Sequence, residues 1–118
     1  MNDILTRKID EFRNSFGSRK LRVLCEEFRK KAGLELARAE TLLQKEDFEQ
    51  LRLAFHNLKS SSKIFGMNDF SDCCARIEEM SADFLSIEML ENEIKNGRII
   101  FERQMKEVTD YLKRKEND

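Results

Sequence analysis

Residues 47–66 read DFEQLRLAFHNLKSSSKIFG. Placed at about 100° per residue, Leu51, Phe55, Leu58, Ser62 and Phe65 fall within a sector of roughly 80°, the apolar stripe of one helix. Asp47 with Gln50 resembles a capping box: the aspartate would accept backbone N–H bonds and the glutamine would reach back. Gly66 suits the left-handed position just past a helix end.

The same reading extends along the chain and finds no strand pattern. A short helix over about 3–15 has Ile4, Leu5, Ile9, Phe12 and Phe16 on one side, and "FGS" at 16–18 ends it. A second covers about 19–44, with Leu21, Leu24, Phe28, Ala32, Leu36, Ala39 and Leu43 at spacings of three and four. Gly33 inside it allows a bend or a close helix contact. A helix over about 69–81, with Asn68 or Asp69 as cap, carries Phe70, Cys74, Ile77 and Met80 or Ser81. After the loop "ADFLS", Ser86 can cap a last helix over about 87–114, with stripe Ile87, Leu90, Ile94, Gly97, Phe101, Met105, Val108 and Leu112. The end, "KRKEND", reads as a frayed tail. Four substantial helices with short connections imply an all-α, antiparallel four-helix bundle over about 19–114, with the short N-terminal helix folded over one end.

Composition narrows the function. The 118 residues suit a single domain over 1–118, without a second lobe to form a deep cleft. The 22 basic and 23 acidic side chains nearly cancel, which argues against a dedicated nucleic-acid binder. Cys25, Cys73 and Cys74 form no C-x-x-C pair and read as reduced thiols, with Cys74 in the core. No apolar run approaches a membrane span or a signal-peptide core, so the expectation is a soluble, cytoplasmic protein. Its apolar stripes are satisfied within one bundle, so a monomer is expected, and the domain-sized length with a starting methionine suits a stand-alone protein.

His56, the only histidine, lies about 150° from the centre of its helix's stripe and is expected in solvent. Its helix-surface neighbours at i−4, i+3, i+4 and i+7 are Arg52, Lys59, Ser60 and Lys63. Three cations suit an imidazole that gains negative charge, as a phosphorylated nitrogen does. Mid-helix there are no free N–H groups for phosphate, so side chains must supply the contacts. The plainer reading of these residues is a solvated basic stripe. Leu53 and Ile64 also project away from the core, roughly 60–80° around the helix from His56, as a docking surface would require.

The stretch HNLKSSSKIFGMNDFSDCCARIE, residues 56–78, resembles the signature of the histidine phosphotransfer (HPt) domain. His56, Leu58, Lys59, Ser61, Ser62, Phe65, Gly66, Met67, Phe70, Cys74, Ile77 and Glu78 are in register with it. The resemblance implies that His56 accepts and donates a phosphoryl group, that Lys59 pairs with the phosphoryl oxygens, and that Glu78 holds the other imidazole nitrogen. Arg52, Ser60 and Lys63 would form the phosphoryl neighbourhood, with Leu53 and Ile64 for partner docking. The sequence departs from the pattern at Ser60, where the family usually has glycine.

The implied function is relay of a phosphoryl group between receiver-domain aspartates in a multistep phosphorelay. The partners would be response-regulator receiver domains and a hybrid sensor histidine kinase, with no nucleic acid and no membrane. The chain would be a phosphoryl carrier rather than a kinase, since no G-x-x-x-x-G-K-[ST] loop for ATP occurs. It would need no cofactor or metal of its own, and the receiver would supply Mg²⁺. Three rivals remain. A non-catalytic helical adaptor would bind receivers or kinases without being phosphorylated. The phosphorylated helix of a sensor kinase typically has an acidic residue after the histidine and a proline nearby; here Asn57 follows and there is no proline. A di-iron bundle needs two E-x-x-H pairs, and here Leu53 stands three residues before the one histidine.

Overall fold

The amphipathic periodicity resolves into five helices in the computed structural model, which describes residues 3–83 and 86–117, the last as backbone only. They are α1 (Asp3–Phe16), α2 (Ser18–Gln44), α3 (Phe48–Ile64), α4 (Asn68–Ala82) and α5 (Ile87–Asn117). No strand occurs among the described residues. Helix α3 packs on α4, α4 on α5, α5 on α2 and α2 on α3, which closes a four-helix ring.

Cross-helix bonds give the directions. His56 meets Glu78 while Ser71 reaches the Lys59 carbonyl, so α3 and α4 run antiparallel. Arg103 pairs with Asp69 while Arg76 pairs with Glu93, so α4 and α5 do too. Arg22 pairs with Glu116 while Arg98 pairs with Glu40, so α2 and α5 are likewise opposed. The bundle is 48 Å long, with a cross-section of 22 × 18 Å.

The core follows the stripes closely. Leu21, Phe28, Ala32, Leu36, Ala39 and Leu43 of α2 are buried, as are Leu51, Phe55, Leu58 and Ser62 of α3. Phenyl rings tie all five helices together. Phe65 at the end of α3 contacts Phe12 of α1 at 6.5 Å and Phe28 of α2 at 5.1 Å. Phe101 of α5 then links Phe28, at 6.0 Å, to Phe70 of α4, at 5.1 Å. Such pairs add about 0.5–1.5 kcal/mol each beyond area burial.

Helix α1 covers the end of the bundle where α3 turns into α4. Gly66 makes that possible twice over. Its φ of 70° is left-handed, and a Cβ there would lie 2.6 Å from the Leu5 Cα. Tyr111 Oη donates to Asp10 at 2.8 Å and ties α1 to α5.

Several local expectations are corrected. Met67, not Asn68 or Asp69, is the cap residue of α4, and its side chain makes no cap bond. The cap comes from another helix: buried Gln104 accepts the Phe70 N–H at 2.8 Å through Oε1. Asp47 accepts the Gln50 N–H at 3.3 Å, but the Gln50 side chain lines a groove between α2 and α3 rather than reaching back. Gly33 is exposed with open space around it, so it serves no close contact. Gly97 does: a Cβ there would sit 3.3 Å from Cys73 Sγ. Ile4, Phe16 and Ile87 lie at the ends of their stripes and are exposed, although Phe16 still meets the Phe12 ring and Lys20. The tail is helical through Asn117 and paired by Arg22–Glu116. Ser86 caps α5 through its hydroxyl and carbonyl, whereas residues 84 and 85 of "ADFLS" lie outside the described residues.

Candidate functional site

Helix α3 turns its apolar stripe inward, and this leaves His56 on the outer face with half its side chain exposed (50%). The antiparallel packing of α4 brings Glu78, at the edge of that helix's stripe, alongside. His56 Nδ1 lies 2.8 Å from Glu78 Oε1, and Lys59 Nζ donates to Glu78 Oε2, also at 2.8 Å. One carboxylate therefore holds two groups one turn apart on the neighbouring helix. Glu78 is the most covered of the three at 18% exposure, against 26% for Lys59.

The electrostatics follow from these bonds. The Lys59 ammonium, with the His56 hydrogen bond adding to it, holds the Glu78 carboxyl below the usual carboxylate range, and partial burial opposes the shift. An ionised Glu78 only accepts hydrogen bonds, so the imidazole tautomer assigned beside it carries its proton on Nδ1. Nε2 then keeps its lone pair and has no protein partner among the described residues.

The backbone beneath is braced as well. Ser62 Oγ and Ser71 Oγ both donate to the Lys59 carbonyl, at 3.1 and 3.0 Å. Lys59 is thus held at its carbonyl and at its ammonium. Sequence reasoning missed Ser71, whose only signal is a small polar residue beside the α4 stripe. Gln104 gives none.

The remaining candidates separate into two groups. Arg52 is committed to Glu49 at 2.6 Å, so it does not stand free beside the imidazole. Ser60 and Lys63 are exposed. Leu53 and Ile64 are 38% and 51% exposed on the same helix. Leu53 also borders a groove of about 230 Å³ between α2 and α3, floored by Phe28, Ala32, Ala54 and Leu58. Among the described residues, no three His, Cys, Asp or Glu side chains gather as a metal site would need, and no helix is long and apolar enough to cross a membrane.

An exposed histidine oriented by a carboxylate, in a helical bundle, agrees with the sequence comparison. The family described as the Hpt domain matches residues 15–114, most of the chain. The chain belongs to the Hpt domain family. Searches among curated proteins and among solved structures returned no significant match. The Hpt assignment gives this chain a phosphotransfer role in two-component signalling, where Hpt domains interact with receiver domains and kinases. The matched span begins in the last turn of α1, so the Hpt domain as recognised is the α2–α5 ring, with most of α1 outside it.

Proposed function

We propose that this Hpt domain relays a phosphoryl group between receiver-domain aspartates, with His56 Nε2 as the carrier atom. The observation that supports this most directly is the Glu78 carboxylate on Nδ1, which leaves the opposite ring nitrogen nucleophilic and outward. In the step, the Nε2 lone pair attacks phosphorus as the bond to the aspartyl oxygen breaks, and the aspartate leaves as a carboxylate. The Nδ1 proton stays in place. Positive charge that develops on the ring faces Glu78, whose carboxylate stabilises it. A second receiver aspartate reverses the exchange. Mg²⁺ belongs to the receiver, which supplies most of the charge neutralisation at the transferring group.

Lys59 is the cation that shares the Glu78 carboxylate with His56. It leaves Glu78 Oε2, or shares it, to meet the phosphoryl oxygens as they arrive. Leu53 and Ile64 offer apolar contacts to the docked receiver, and the chain acts as a monomer in the cytoplasm, where a receiver and a hybrid kinase supply and remove the group.

The test uses the intact chain and phosphorylated receiver domains from the same organism. Acid-labile, base-stable label should appear on the wild type and be absent from His56→Gln. Label that persists in His56→Gln rules out this site. Receivers that bind the wild type without labelling it support the adaptor reading instead.

A further inference from the structure

The polar groups around His56 are not equally available to an incoming anion. Arg52 is engaged by Glu49, and Lys59 by Glu78. Asn57 and Ser61 turn toward the α2–α3 groove. That leaves Ser60 and Lys63, both exposed and both without a hydrogen bond or ion pair among the described residues. They differ in distance. At 1.5 Å per residue, Ser60 is displaced along the axis by about 6 Å from His56, and Lys63 by about 10 Å. Helical side chains also lean toward the N-terminus, which aims Ser60 at the surface His56 occupies.

Four helical hydroxyls turn back on their own helix: Thr6 on the Asp3 carbonyl, Ser62 on Lys59, Ser81 on Ile77 and Thr109 on Met105. A mid-helix serine either back-bonds in this way or points its hydroxyl into solvent. Ser60 has no such bond, so its donor is free to serve a ligand without first breaking a protein contact.

We propose that Ser60 Oγ donates a hydrogen bond to the phosphoryl group carried on His56 Nε2, and so helps set the stability of the phosphohistidine itself. The inference rests on the relay reading above. It assigns Ser60 a direct contact with the transferred group, while Lys59 remains shared with Glu78. A hydrogen bond to a dianionic phosphoryl oxygen is charge-assisted and is stronger than a neutral one. It exists only in the phosphorylated form, so it shifts the equilibrium between phosphohistidine and phosphoaspartate.

That equilibrium is the measurement. The full chain is mixed with a receiver domain that labels it, at concentrations too low for the complex to persist, and the plateau ratio of the two phosphorylated species is read. Docking contacts then cancel, because only free species enter the ratio. Ser60→Ala and Ser60→Gly should both move the ratio toward phosphoaspartate by about five- to tenfold, the loss of one exposed charge-assisted bond. Ser60→Thr keeps the hydroxyl and should restore the wild-type ratio. Circular dichroism should show every variant folded, since Ser60 is exposed. An unchanged plateau in Ser60→Ala overturns the proposal even if the approach rate changes, because rate alone reports docking. A plateau shift in Lys63→Ala with none in Ser60→Ala overturns it as well. If no receiver labels the wild type, the relay reading fails and takes this proposal with it; labelling with an unmoved plateau removes only the role of Ser60.

Discussion

Glu78 governs the site at the scale of single residues, because one carboxylate orients the imidazole and anchors the lysine. Its pH behaviour follows. The folded-state pKa is depressed below 4.5, so the group stabilises the fold fully above that value and loses its contribution as pH falls through the folded value. Lys59 is the largest cause of the depression. Lys59→Ala should therefore return the Glu78 carboxyl toward 4.5 and shrink its acid-side contribution. Carboxyl titration by NMR reads this directly. The same variant should slow phosphoryl transfer by about tenfold, since one charge-assisted contact is lost. Thermal melts should stay near wild type, because this ion pair is only partly buried and water still reaches it, and pairs near the surface add about 1 kcal/mol or less. A large drop in melting temperature would show that Lys59 serves the fold instead.

At the scale of the element, Gly33 inside α2 and Gly66 just past α3 occupy opposite environments, and substitutions should sort accordingly. Gly33 sits on an open helix face, with nothing within 4 Å of where an added methyl group would lie. Gly33→Ala should therefore stabilise by about 0.5–1 kcal/mol through helix propensity. Gly66 combines a positive φ with the Leu5 backbone at 2.6 Å. Gly66→Ala should cost at least about 2 kcal/mol and loosen α1, since left-handed strain and a backbone clash add. Urea unfolding of the two variants checks both signs; a Gly66→Ala protein as stable as wild type would mean that α1 does not press on this turn. The α3–α4 corner was largely readable from Gly66. The capping of α4 was not, because its acceptor, Gln104, lies 34 residues away on α5.

Across the whole molecule the three thiols report the integrity of the bundle. Cys25, Cys73 and Cys74 are all free and buried. Burial pushes Cys25 up to about 11 and Cys73 up to about 12, the latter aided by the hydrogen bond to Glu93, and it raises Cys74 further still. A thiol that cannot ionise is a poor nucleophile. The native protein should therefore resist maleimide at neutral pH, and all three cysteines should react in guanidinium. Rapid stoichiometric labelling of Cys73 in the native protein would mean that the α4–α5 seam opens. Mass spectrometry after timed quenching distinguishes the two outcomes.

Which face each residue occupies was legible in the sequence alone, because the 3.6-residue period is a property of one helix and needs no neighbour. That determined the helical class, the buried stripes, the outward position of His56 and the turn at Gly66. The Hpt resemblance added Glu78 as the partner of the imidazole. Only the tertiary structure decided how that carboxylate is divided between His56 and Lys59, across separations of 22 and 19 residues. It also decided that Ser71 braces the Lys59 carbonyl, that Arg52 belongs to Glu49, and that Ser60 is left uncommitted beside the histidine. Those outcomes depend on the axial register and rotation of each helix against the next, which the packing of the whole core sets and no single stripe encodes.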